Sequence, residues 1–272
     1  MLSFVSPSSL SFLPSAPIVT APRASAASTV RMETVSDLEA LAKKLNPTIG
    51  YWNPTSLADM EFWGQSQEAT IGFLRQAEIK HGRVAMAAFV GYVLQANGIC
   101  WPWALSFDGT TFAQISAAGG PADQWDALPT NSKGQILLAI GFFEWWGENS
   151  YALGLSGEKH YMRGGKPGYY PPFMGGKGGI PHPLPLDSLF DPFGFQKGMS
   201  PEKKEKGLIT EINNGRLAML GIMAFVAESK VPGAVPLLSG KITPYAGEVM
   251  APFAASDKAL TFVPEMLSLK LF

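Results

Sequence analysis

The sequence predicts an all-α membrane protein: three transmembrane helices, the first and third crossed as a pseudo-twofold pair, joined by long Gly/Pro-rich loops. Three observations predict it. A nine-residue motif occurs twice, as Glu78-Ile79-Lys80-His81-Gly82-Arg83-Val84-Ala85-Met86 and as Glu211-Ile212-Asn213-Asn214-Gly215-Arg216-Leu217-Ala218-Met219, with six identical positions. Each copy opens an apolar stretch, and no charged residue occurs between Val84 and Phe107. Charged residues are 16% of the 272-residue chain and hydrophobic ones 46%, against about 25% charged in soluble domains.

Each element follows from local pattern. Residues 1–32 are rich in Ser, Ala and Pro, carry Arg23 and Arg31, and contain no acidic residue. That composition predicts an organelle-targeting segment, with a disordered tail as the other reading, leaving 33–272 as the working domain. The first long helix is expected near 71–97; twenty or more helical residues cross a hydrocarbon layer of about 30 Å. Trp101 and Trp103 follow it, as side chains at a membrane interface do. A second span is expected near 133–155, apolar apart from Lys133, Glu144 and Glu148 at its flank and within it. Residues 156–200, dense in Gly and Pro, read as a long surface connection. The third helix is expected at 201–230, with Ser200 as N-cap, Pro201 in the first turn and Pro232 beyond its end. Ala85, Ala88 and Gly91 match Ala218, Gly221 and Ala224 in register, predicting close approach of two helix backbones.

The composition also excludes function classes. The formal net charge is −1, so no basic surface argues for nucleic acid. A single cysteine, Cys100, and three histidines, His81, His160 and His182, leave little for a disulfide framework or a His-rich metal centre. No nucleophile–base set or phosphate loop is visible, so no catalysis is expected.

The charged motif has a definite geometry. Helical residues advance about 100° each. Glu78 and His81 therefore share a face, whereas Glu78 and Arg83 stand roughly 140° apart. An arginine turned from its own helix's glutamate can serve the other helix's. The predicted pairs are Glu78 with Arg216 and Glu211 with Arg83, and losing one partner of a buried pair costs about 3–5 kcal/mol. The arginine neutralises the acid and leaves one carboxylate oxygen free as a hard ligand. His81 adds an imidazole nitrogen and Asn214 an amide oxygen. Single, separated ligands suit a magnesium already held by a flat macrocycle, which needs one axial donor. They suit a bare ion poorly, since it wants several converging ligands. Glu-x-x-His is also half of a di-iron carboxylate site, but the second copy has Asn214 in place of His. A helix-pair lock without any pigment is a further reading.

The two motifs resemble the first and third membrane helices of the light-harvesting chlorophyll-binding family, over roughly residues 60–255. Phe190-Asp191-Pro192-Phe193-Gly194-Phe195 is similar to the loop before that family's third helix. The resemblance implies a multi-pass protein of the chloroplast thylakoid membrane that binds chlorophylls and carotenoids non-covalently and passes excitation to a photosystem. It implies Glu78, His81, Glu211 and Asn214 as axial ligands of chlorophyll magnesium, Glu144 as the middle helix's ligand, Gln135 as a second polar ligand there, and Arg83 and Arg216 as structural ion-pair partners. The Gln135-to-Glu144 spacing differs by one from the green-plant form, and Glu228 replaces that form's later Gln ligand. His160–Gly168, Val231–Pro236 and Pro244–Pro252 look like segments of red-lineage antenna proteins. They imply chlorophyll a with chlorophyll c, a carotenoid of the peridinin, fucoxanthin or diadinoxanthin type, and bound lipid. The expected partners are photosystem core subunits (photosystem I favoured), neighbouring antenna proteins and thylakoid lipids. A photoprotective, energy-dissipating member of the same family is the alternative function; a di-iron membrane oxidase is a distant one.

Overall fold

The structure is a computed structural model that describes residues 33–173, 191, 194–195, 198–249, 251–257 and 259–268. The targeting segment, His182 and most of the Phe190–Phe195 loop lie outside the described residues. Among the described residues there are eight α-helices, a few short 3₁₀ turns and no strand.

Helix α1 (Val35–Leu45) starts where the Asp37 carboxylate accepts from the Thr34 amide at 2.9 Å and from its hydroxyl at 2.7 Å. Helix α2 (Gln67–Ala96) has 30 residues, a length of about 45 Å at 1.5 Å per residue. Ser66 caps it by accepting from the Ala69 amide at 3.3 Å. It ends at Asn97 and Gly98, the latter left-handed at φ +67°. Two short helices, α3 (Phe112–Ser116) and α4 (Pro121–Asp126), break the following loop. Trp101 and Trp103 stack on one another at 4.8 Å, both exposed.

The middle helix is not continuous. It forms α5 (Thr130–Glu148), breaks at Asn149, and resumes as α6 (Ser150–Leu155). The Asn149 side chain accepts from the Tyr151 amide at 2.8 Å, so it caps the new helix as it ends the old one. Helix α7 (Pro201–Lys230) matches its expected bounds, with Ser200 accepting from the Lys203 amide at 3.4 Å. A last short helix, α8 (Val263–Ser268), closes the described chain.

Helices α2 and α7 form the dominant packing pair, while α5 stands further from α2. They touch where the two motif copies meet. A Cβ placed on Gly82 would lie 3.0 Å from the Gly215 Cα, and one on Gly215 would lie 2.9 Å from the Gly82 Cα. Equivalent residues facing each other are the mark of a two-fold relation. The expected small-residue stripe is only part of this contact. Gly221 meets the Phe89 ring, but Gly91 faces open space. Stacking of Phe225 on Phe89 at 5.0 Å and on Tyr92 at 4.9 Å fills the wider part of the crossing.

No helix among the described residues is long and apolar enough, by mean hydropathy, to cross a membrane. The charges at the head of α2, in the second half of α5 and along the first turns of α7 lower the sum. The outer faces are nonetheless apolar: Leu138, Leu217, Leu220 and Met223 are all exposed.

Candidate pigment-ligand site

The two glutamates and two arginines common to both copies pair reciprocally, as the helical angles require. Arg83 Nε donates to Glu211 Oε1 at 2.6 Å, and Arg216 Nη2 lies 2.6 Å from Glu78 Oε1. Each arginine leaves its own helix and neutralises the other's acid. Arg83 Nη1 also donates to the Gly168 carbonyl at 2.7 Å, tying the long connection to the crossing.

The two halves then diverge. Among the described residues, Glu211 Oε2 has no hydrogen-bond partner, so this carboxylate has the free oxygen the motif predicts. Glu78 does not. Its Oε2 accepts from Arg75 Nη1 at 2.5 Å, and Arg75 Nε reaches Glu33 at 3.3 Å. Arg75 is buried. The sequence reading missed it, although its position three residues before Glu78 places the two side chains on one face.

His81 and Asn214 are exposed on the outer flanks of their helices. His81 Nδ1 lies 2.7 Å from the Ala77 carbonyl. A carbonyl only accepts, so Nδ1 carries the proton, and in the neutral imidazole Nε2 keeps the lone pair. That is the tautomer an axial ligand needs, held by a second hydrogen bond as metal-ligating histidines generally are. Asn214 makes no hydrogen bond within the described residues, and its amide oxygen is free to donate a lone pair.

On α5, Glu144 Oε2 accepts from Lys80 Nζ at 2.5 Å, and the same ammonium lies 3.4 Å from Glu148 Oε1. Glu148 Oε2 is held by His160 Nε2 at 2.7 Å. Gln135 is exposed near the start of α5. The connecting loop wraps this region: the Tyr170 hydroxyl donates to the Phe143 carbonyl at 3.1 Å, and burial with the nearby Glu144 charge pushes that phenol up to about 12. Burial and the Glu148 carboxylate push the Tyr161 phenol up in the same way. Both stay neutral donors over the physiological range.

Glu228 is engaged by backbone amides. It is 2% exposed, and its two oxygens accept from the Gly233 amide at 2.9 Å and the Val235 amide at 2.8 Å. Those bonds engage the side chain as a clamp on the turn after α7. A cavity of ≈ 680 Å³ opens beside it, between the ends of α2 and α7 and the C-terminal segment; Tyr92, Trp125, Ile222, Tyr245 and Pro252 are in its lining.

The candidate donors are thus single and spread over three helices. Among the described residues no three His, Cys, Asp or Glu side chains converge as a metal ion would require. The chemistry of the set, one neutral or neutralised donor at a time on an apolar flank, fits macrocycle-held magnesium.

Comparison with known proteins agrees. The family model described as chlorophyll A-B binding protein matches residues 38–230. The chain belongs to that family, whose members are light-harvesting, pigment-binding proteins and not enzymes. Among its relatives is the chloroplastic fucoxanthin-chlorophyll a-c binding protein C of Phaeodactylum tricornutum, 28% identical over 185 residues, 68% of this chain and 76% of the relative. The fucoxanthin-chlorophyll a-c binding protein of Trieres chinensis is 28% identical over 199 residues, 71% of this chain and 79% of the relative. The light-harvesting complex stress-related protein 1 of Chlamydomonas reinhardtii is 30% identical over 184 residues, 67% of this chain and 58% of the relative.

Proposed function

We propose that this protein is an antenna subunit of the chloroplast thylakoid, with α2, α5 and α7 as its three spans, which holds chlorophylls at fixed separations and passes their excitation to a photosystem. The observation that carries the reading is the pair of crossed Glu–Arg bridges with His81 and Asn214 presented beside them. Hydropathy scores each Glu and Arg as though alone in lipid; here each has its counter-ion, so the sum understates how readily these helices span. The proposed axial ligands are His81, Glu211, Asn214, Glu144 and Gln135. Glu78 joins them when Arg75 turns wholly onto Glu33. Bound chlorophyll supplies the absorbing macrocycle; the protein supplies donors, orientation and exclusion of water.

Chlorophyll a, chlorophyll c and a fucoxanthin-type carotenoid are the pigments we assign, on the names of the relatives and the loop segments from His160 and Val231. The cavity beside Tyr92 and Trp125 fits the end of an extended carotenoid lying along the crossed pair. Photosystem I core subunits, neighbouring antenna proteins and thylakoid lipids are the assigned partners. Pigment analysis of the purified protein tests the reading: chlorophyll a and c with carotenoid are expected, and a colourless, fully folded protein would overturn it. Likeness to the stress-related protein favours a second reading, dissipation of excitation as heat. Fluorescence lifetime of the isolated complex separates the two, since an antenna keeps a long lifetime and a dissipating complex a short one.

A further inference from the structure

We propose that Lys80 is the positioning residue of the middle-helix pigment site, acting as the counter-ion that turns Glu144 into a neutral axial ligand. The proposal rests on the pigment-binding reading above and adds a role for a residue that this reading does not use. Lys80 and Arg83 lie three apart on α2 and so share a flank. Arg83 crosses to Glu211 of α7, and Lys80 crosses to Glu144 of α5. One helix therefore delivers both cations, and Glu144 meets the same condition as Glu211: one oxygen bonded to a cation from α2, the other without a hydrogen-bond partner among the described residues.

The chemistry calls for such a partner. Chlorophyll magnesium is already balanced by its macrocycle, so an anionic ligand adds an uncompensated charge in an apolar layer. Lys80 removes that charge without competing for the metal, because an ammonium has donors and no lone pair. The other acid within reach does not depend on Lys80 in the same way. Glu148 is 3.4 Å from the ammonium, against 2.5 Å for Glu144, and has His160 at 2.7 Å as a second partner. Loss of Lys80 strands Glu144 and spares Glu148.

An ordinary surface ion pair is the competing account, and in water it would contribute little. The surroundings argue against it. Leu138, Ile140, Phe142, Phe143 and Trp145 are exposed apolar side chains on the same helix, and in the proposed span they face lipid or pigment. The backbones of α2 and α5 also approach little, so this bridge sets where Glu144 stands relative to α2.

The test is reconstitution of the full chain with purified chlorophyll a, chlorophyll c and fucoxanthin. Chlorophyll per chain is counted by chromatography, visible circular dichroism is recorded, and far-ultraviolet circular dichroism reports helix content. Lys80→Met is expected to lose one chlorophyll per chain, the same visible band that Glu144→Leu loses, with helix content kept. Lys80→Arg is expected to keep it. The deciding variant is Lys80→Met combined with Glu144→Gln. An uncharged amide oxygen needs no counter-ion, so the double variant is expected to regain the pigment that Lys80→Met lost. A full pigment complement in Lys80→Met would overturn the proposal. So would a double variant no better than Lys80→Met, including the case where neither assembles. If the unaltered chain itself takes up no chlorophyll, the pigment-binding reading fails first.

Discussion

At the scale of single residues, the site is a problem in charge balance. Arg83 and Arg216 act on the neighbouring helix, whereas His81 presents its nitrogen outward and holds no helix. The two classes should respond differently to removal. His81→Leu is expected to lose one chlorophyll per chain while the pigmented complex still forms. Arg83→Leu strands Glu211, an uncompensated charge costing about 3 kcal/mol or more, and should cut the yield of assembled complex severely. Pigment counts and reconstitution yield measure both, and equal mild effects would contradict the ion-pair account. The reciprocal pairing was legible in the sequence because the helical angle alone turns each Arg from its own Glu. The asymmetry between Glu78 and Glu211 was not, since Arg75 is drawn into the crossing partly by Glu33, 42 positions earlier.

At the scale of elements, the crossing is fixed by two glycines inside the charged motif. With Gly215 Cα only 3.0 Å from a Cβ on Gly82, Gly82→Val forces α2 and α7 apart. Overpacking typically costs about 1–3 kcal/mol, and a backbone neighbour has no rotamer by which to yield. The variant should lower the melting temperature of the complex and lengthen both reciprocal ion pairs, Arg83–Glu211 and Arg216–Glu78; unchanged melting would refute the contact. The small-residue register from Ala85 to Gly91 correctly indicated a close pair but placed the contact too far along. Periodicity states that small residues share a face, not which of them meets the partner. The break at Asn149 was likewise hidden: the apolar run continues through it, and only the cap bond to Tyr151 shows the helix restarting.

For the molecule as a whole, the C-terminal segment is clasped to the start of α5. Lys133, fully buried, donates to Asp257 Oδ2 at 2.6 Å and to the Asp126 carbonyl at 3.1 Å, while Thr130 bonds Asp257 Oδ1. Tyr245 bonds Asp126 at 2.8 Å and Trp125 bonds the Pro252 carbonyl at 2.9 Å, closing the segment over the cavity. Asp257→Asn leaves a buried ammonium unpaired, with an expected loss of about 3–5 kcal/mol. Pairing Asp257→Leu with Lys133→Met should recover much of that loss, read as melting of the pigmented complex. Burial raises the Asp257 carboxyl, but bonds from Lys133, Thr130 and the Ala254 amide outweigh it and hold the group below its ordinary 3.8. A lowered value means the clasp contributes fully above 3.8 and is lost as pH falls through the lower folded value. The clasp is therefore expected to stay shut at pH 5–6 and to open only in stronger acid. Proteolysis of the C-terminal segment at stepped pH checks this, and release near pH 5.5 would contradict it.

The amino-acid order alone determined the family, the three long helices, the doubled motif and its crossed arginines. Those depend on residues within a few helical turns, where spacing fixes direction. The folded chain alone decided which carboxylates keep a free oxygen. Arg75, Lys80 and the amides of Gly233 and Val235 each take up an oxygen of Glu78, Glu144 or Glu228. A carboxylate accepts from whatever donor the packing brings near, and Lys80 and Glu144 are 64 positions apart in sequence, a distance across which no local rule carries.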